Sequence, residues 1–302
     1  MNQPVPAMIK IAVASGKGGT GKTFVATNIF YSLVKNKISA VLIDCDAEAP
    51  NDLSFFKAEP LSSIDVTQLV PVIDTNKCTF CGKCHEYCNY NAIFLLPPVK
   101  MIKVIDDLCH GCGACSVACG YGAINERPVI LGTVNSYSFY GLSSIIEART
   151  KIGVMSPVPI IKTAIRQAGN SAPIAILDSP PGTSCPFIQT TAASDYVILV
   201  TEPTPFGLSD LKQSIYTLRK IKKPFGVIIN RAGLGSRDVY RWMEENKIPL
   251  LGEIPFDEKI ARIYSEGSLL AAEDPVYFDE FFELTNRIGN IIKDQITLAL
   301  NK

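Results

Sequence analysis

Six short runs of apolar residues punctuate the chain: IKIAVAS, AVLIDCD, IAILDS, DYVILVT, FGVIIN and LLGEIP. Each is continuous rather than alternating, the pattern of strands covered on both faces. Between them, apolar residues recur every third or fourth position and predict helices over Lys22 to Lys35, Ser209 to Lys220, Asp238 to Asn246 and Val276 to Leu300. The alternation predicts βαβ units and a mostly parallel, doubly wound α/β sheet. The last helix carries Phe281, Leu284, Ile288, Ile291, Ile292 and Ile296 on one stripe, and its polar positions mix Arg287 and Lys293 with Glu283 and Asp294. A helix lying on a membrane has a Lys/Arg-rich polar face, so this stripe is read as core-facing.

The pattern breaks once. From about Asp74 to Pro128 helical periodicity gives way to cysteine and glycine, then strands and helices resume. This predicts a discontinuous large domain, residues 1–73 and 129–302, with a small α+β module inserted at 74–128. The insert is a duplication. CTFCGKCHEYCNYNAI from Cys78 and CHGCGACSVACGYGAI from Cys109 agree at every cysteine, at Tyr90 and Tyr121, and at the closing Ala-Ile.

Each half reads C-x2-C-x2-C-x3-C, a spacing in which three close cysteines wrap one corner of an iron-sulfur cubane and the fourth reaches a second cluster. The insert resembles a two-cluster bacterial ferredoxin. That resemblance implies one [4Fe-4S] cluster on Cys78, Cys81, Cys84 and Cys119, and another on Cys109, Cys112, Cys115 and Cys88. Gly82, Gly111 and Gly113 are read as tight turns that aim amides at the sulfurs. The proline that usually follows each fourth cysteine is replaced by Asn89 and Gly120. A pair of tetrahedral zinc sites is the alternative, since zinc also takes four cysteines. His85 and His110, the two histidines of the chain, are read as tuning solvent exposure or potential rather than binding iron.

GKGGTGKT, from Gly16 to Thr23, fits G-x-x-x-x-G-K-[ST] after a predicted strand and at the start of a predicted helix. Amides of Gly18, Gly19, Thr20, Gly21 and Lys22 are expected to cradle phosphates, with Lys22 on the β and γ phosphates and the Thr23 hydroxyl on Mg2+.

The form K-G-G-x-G-K-T, with its extra Lys17, resembles the deviant Walker A loop of the MinD/ParA/Mrp superfamily, which includes the nitrogenase iron protein. The resemblance implies a homodimer with ATP at the interface, where Lys17 reaches the partner's nucleotide as an arginine finger does. LIDCDAEAPN resembles switch I, which gives Asp46 the role of orienting the attacking water while Asp44 ends the strand. ILDSPPGTSC resembles the Walker B and switch II segment, with Asp178 holding a Mg2+-bound water and the Gly182 amide free for a γ-phosphate. VIINRAG resembles the strand end whose asparagine, here Asn230, is implied to read the adenine edge. Cys185 lies near the place where the nitrogenase iron protein has a cluster ligand, but a dimer offers two such thiols rather than four. It is therefore read as a semi-buried core cysteine, and Cys45 as a buried one.

Lys and Arg total 29, as do Asp and Glu, so no strong field gathers nucleic acid or anionic lipid. No apolar run reaches the roughly 18 residues of a membrane span, and the N-terminus lacks a secretory pattern. The expectation is a cytoplasmic Mg-ATP phosphohydrolase that gates electron transfer to a partner protein. The alternative is an iron-sulfur assembly or carrier ATPase of Mrp type, although no C-x-x-C follows Cys185. A MinD-like positioning ATPase lacks a membrane helix or DNA-binding surface here, and a cobyrinate amidotransferase lacks room for its glutaminase domain.

Overall fold

The computed structural model describes residues 8–141 and 143–300. Its strands are β1 (Ile9–Ala14), β2 (Ala40–Asp44), β3 (Glu59–Ile73), β4 (Ile93–Leu96), β5 (Met101–Val104), β6 (Ile124–Phe139), β7 (Ser143–Thr150), β8 (Ile174–Asp178), β9 (Tyr196–Thr201), β10 (Phe225–Ala232) and β11 (Leu250–Pro255). All six predicted strands are present. Nine strands form one sheet in the order β11-β10-β9-β1-β8-β2-β7-β6-β3. Every pairing from β11 through β7 is parallel, and β2 and β9 are buried at every residue. Continuous apolar runs are what such two-sided burial demands.

The chain divides into two compact units. One gathers the described parts of residues 1–63, 134–149 and 161–302; the other holds 64–133 and 150–160. The second unit is wider than the insert expected at 74–128, because the division falls inside the long strands β3 and β6 rather than at a loop.

In the first unit, helix Lys22–Lys35 follows the loop at 15–21 that leaves β1, and buries Phe24, Ile29, Phe30 and Leu33. They share one core with Phe281, Leu284, Ile288 and Ile292 of the closing helix Pro275–Leu300. Ile291 packs against that core part-buried, and the side chain of Ile296 lies outside the described residues. Each fully buried side chain of this size contributes roughly 1.5–3 kcal/mol, so the stripe is a docking seam. Among the described residues no helix is long and apolar enough to cross a membrane.

In the second unit, β4 pairs antiparallel with β5. Two short helices, Lys83–Glu86 and Ala114–Ala118, follow Gly82 and Gly113, whose φ angles of 83° and 72° lie in the left-handed region. The two sequence halves also exchange hydrogen bonds. The Asp74 amide donates to Ala123 O at 2.8 Å, and the Ile105 amide donates to Ala92 O at 2.7 Å. Asp74 opens the first half and Ala123 closes the second, while Ile105 and Ala92 do the reverse, as an internal two-fold requires.

Candidate nucleotide and metal sites

β1 pairs with β8 on one side and β9 on the other, so the chain returns to both flanks of the strand that feeds the phosphate loop. Open α/β sheets bind ligands where the strand order reverses in this way, at the carboxyl ends of the strands. The register sets the chemistry there. Asp44 at the end of β2 is directly opposite Asp178 at the end of β8.

Three acids converge at these strand ends. One carboxylate oxygen from each of Asp44, Asp52 and Asp178 lies within 4.8 Å of the other two. Thr23 donates to Asp178 Oδ2 at 2.6 Å. Asp44 organises the following loop: its Oδ1 accepts from the Asp46 amide at 3.0 Å, and its Oδ2 from the Asn51 and Asp52 amides at 2.8 and 3.0 Å. Burial, then the Asp178 charge, pushes the Asp44 carboxyl up to about 8. Burial raises Asp178 to about 6 against the pull of Lys22. Asp52 is driven well above the carboxylate range by burial and by both neighbouring acids. Asp46 is raised by burial and lowered by the Lys22 charge. Lys22 itself is buried.

Asp44 and Asp52 were not expected at this site. Asp44 is expected only as a strand end, and Asp52, the first residue of a one-turn helix after Pro50 and Asn51, carries no motif signal. The parallel register and the three amide bonds to Asp44 place both acids beside Asp178.

Lys17 is held within its own chain. Its Nζ lies 3.0 Å from Glu202 Oε2, whose side chain is buried, and Glu202 Oε1 takes a bond of 2.6 Å from Arg231 Nη1. The Arg231 amide in turn donates to Asn230 Oδ1 at 2.9 Å, and Asn230 Nδ2 donates to Thr20 O at 2.8 Å. Asn230 keeps one amide hydrogen and one lone pair for a ligand. Beside it opens a largely apolar cavity of about 400 Å³, lined by Phe24, Leu234, Pro255, Phe256, Ile260 and Tyr264, with Gly19 and Gly21 at its phosphate-loop side. Gly21 has φ 99°, and a Cβ there would lie 2.3 Å from Asn230 Nδ2. Only glycine fits both the turn and the neighbour.

The Gly182 amide, expected to be free, donates to Ser15 O at 3.1 Å. Contact with a γ-phosphate requires that bond to be exchanged. Cys185 is exposed as the first residue of helix Cys185–Ala192, not semi-buried as expected, because the helix turns its opening outward after Ser184. Cys45 is buried on the strand end, and burial pushes its thiol up.

In the second unit, the eight cysteines sort into two fours. One cavity is lined by Cys78, Cys81, Cys84 and Cys119, and a second by Cys88, Cys109, Cys112 and Cys115. Amides approach the sulfurs: Phe80 N on Cys78 and Gly111 N on Cys109 at 3.4 Å, and Ala92 N on Cys88 at 3.3 Å. Among the described residues, the three-acid cluster is the one set of possible metal ligands drawn together within 4.8 Å, so no three sulfurs lie so close. His85 Nδ1 donates to Ile93 O at 2.7 Å, and His110 stacks on Tyr90 with ring centres 3.8 Å apart.

Comparison with known proteins follows the fold. Residues 11–270 match the family described as CobQ/CobB/MinD/ParA nucleotide binding domain. An uncharacterized protein of Methanocaldococcus jannaschii is 32% identical over 271 residues, 86% of this chain and 90% of the relative. An iron-sulfur cluster carrier protein of Pyrococcus horikoshii is 22% identical over 313 residues, covering 94% of this chain and 87% of that protein. The septum site-determining protein MinD of Pyrococcus horikoshii, solved with Mg-ADP, superposes with a TM-score of 0.58 at 19% identity, over 94% of this chain and 98% of that one. That likeness is one of fold. The match over residues 11–270 carries the assignment: the chain belongs to the CobQ/CobB/MinD/ParA family of nucleotide-binding domains.

Proposed function

We propose that this chain is an ATP-hydrolysing dimeric switch carrying an inserted two-cluster ferredoxin module, and that nucleotide turnover gates electron transfer from the module to a partner protein. The observation that carries the reading is the sorting of the eight cysteines. Each cavity takes three sulfurs from one repeat and the fourth from the other, the arrangement that a C-x2-C-x2-C-x3-C pair makes around two cubanes. Structural zinc usually takes two C-x2-C pairs from separated turns, whereas three cysteines in a row at x2 spacing, repeated in both halves, suit the larger iron-sulfur unit.

At the nucleotide site the donor set suits a hard cation. Asp178 Oδ1 and both oxygens of Asp52 are buried and take no amide, hydroxyl or basic donor. Mg2+, when bound, supplies positive charge to the transferring phosphoryl group. In this reading Thr23 and Asp178 hold it. Lys22 and the amides from Gly16 to Thr23 bind the phosphates, and Asn230 reads the base edge from the rim of the apolar cavity. Asp46 orients water. Lys17 leaves Glu202 to serve the partner's nucleotide.

The test has two stages. Anaerobic purification should yield about eight irons and eight sulfides per chain. Electron transfer to an acceptor protein should then run at different rates with ATP, with ADP and without nucleotide; equal rates would remove the gating claim. The similarity to an iron-sulfur cluster carrier protein favours a second reading, cluster delivery. Radioactive iron moving from this chain to an apo-ferredoxin would select it.

A further inference from the structure

Acidic clusters are common, and backbone amides satisfy many of them. Asp44 is such a case, with three amide donors on its two oxygens. Asp52 is not. Its side chain is 0% exposed, and no amide, hydroxyl or basic group donates to either carboxylate oxygen; the polar group that meets it is the Asp178 carboxyl, itself an acid. Asp178, 1% exposed, leaves Oδ1 equally without such a donor beside it. Buried polar atoms without partners are costly, and buried charges without partners more so.

The spacing of the three acids answers that cost. Six oxygens around Mg2+ at about 2.1 Å fill a sphere about 4.2 Å across, and the longer bonds of Ca2+ give about 4.8 Å. One oxygen from each of Asp44, Asp52 and Asp178 lies within 4.8 Å of the other two, inside the reach of a single cation. The Thr23 hydroxyl, 2.6 Å from Asp178 Oδ2, adds a neutral oxygen, and the Asn51 side-chain oxygen lies 3.4 Å from that hydroxyl. Hard oxygen donors of this kind select Mg2+-class cations over softer metals.

We propose that the chain holds a divalent cation of the Mg2+ class on Asp52, Asp178 and Asp44 before any nucleotide arrives, with Asp52 a direct ligand. Nucleotide then meets a preloaded site and completes the cation's sphere with phosphate oxygens. The proposal rests on the nucleotide reading for its purpose but needs no bound nucleotide for its test.

Holoprotein with its clusters in place, stripped of nucleotide and free cations under anaerobic conditions, is titrated with Mn2+ while the free ion is followed by electron paramagnetic resonance. About one Mn2+ should bind per chain without nucleotide, and Mg2+ alone should raise the melting temperature. Asp52→Asn, with unchanged circular dichroism, should weaken nucleotide-free Mn2+ binding about tenfold or more. It should still bind Mn2+ once ADP is present. Asp178→Asn serves as a second variant and should show the same nucleotide-free loss. A wild-type chain that binds no Mn2+ without nucleotide has its acids neutralised by protons, and the proposal falls. It falls equally if Asp52→Asn binds Mn2+ as well as the wild type. Failure of the wild type to bind ADP would instead count against the nucleotide reading, leaving the Mn2+ result intact.

Discussion

Lys17 and Glu202 form an ion pair of 3.0 Å in which the carboxylate is buried and the lysine is one-third exposed. The residue that the family resemblance sends across a dimer interface is thus held at home in the single chain. Arg231 shares the same carboxylate and is bonded through its own amide to Asn230, so the rim of the apolar cavity and Lys17 pull on one group.

Replacing Glu202 by Gln should release Lys17. Dimerisation with a non-hydrolysable ATP analogue, measured by analytical ultracentrifugation, should then occur at about tenfold lower protein concentration, since a charged hydrogen bond is worth about 1.5–3 kcal/mol. An unchanged dimerisation curve would show that the pair does not restrain Lys17.

Gly21→Ala places a methyl carbon against Asn230 Nδ2 and forces a left-handed φ on alanine. The strain is about 1–2 kcal/mol before the clash. ADP affinity by calorimetry should fall about tenfold or more, while iron content stays at the wild-type level because the cysteines lie in the other unit.

Cys119→Ser should remove the fourth sulfur from the Cys78, Cys81, Cys84 set and leave the other set whole. Iron per chain should drop from about eight to about four. Cys185→Ser should leave the count unchanged. If Cys119→Ser keeps its iron, the division of cysteines drawn here is wrong.

The acid cluster also sets a pH dependence. Unfolded, Asp44 and Asp178 release their protons near 3.8; folded without a cation, they hold them to about 8 and about 6. The native chain therefore binds more protons than the unfolded chain across that window, and stability falls as pH rises through it. Melting in EDTA should be lower at pH 8 than at pH 6 by a few degrees, roughly the size expected from 1–2 kcal/mol. Asp52→Asn should flatten the slope. A melting temperature that rises over this interval contradicts the burial argument.

Much of this was legible in the chain. The six central strands and the phosphate loop announce themselves because two-sided burial and phosphate contact both demand narrow residue choices. The edge side was less visible. β3 exposes Leu61, Ile64, Leu69 and Val72, so its apolar residues follow no single face. Helix Glu258–Ser265, which brings Ile260 and Tyr264 to the apolar cavity, is short and capped only by Asp257. Asp52 and Glu202 were hidden for another reason. Each matters through a neighbour far away in sequence, Asp178 in one case and Lys17 in the other, and no local pattern encodes such a meeting.

The exchange of strand ends and sulfurs between the two repeats has a consequence for biosynthesis. Neither repeat owns a complete set of sulfurs: Cys88 waits for Cys109, Cys112 and Cys115, and the set begun at Cys78 waits for Cys119. On a growing chain the two sets are therefore finished almost together, one at Cys115 and the other at Cys119. Translation offers no long interval in which one quartet is ready and the other is not, so under the two-cluster proposal iron loading falls to the finished module rather than to the emerging halves.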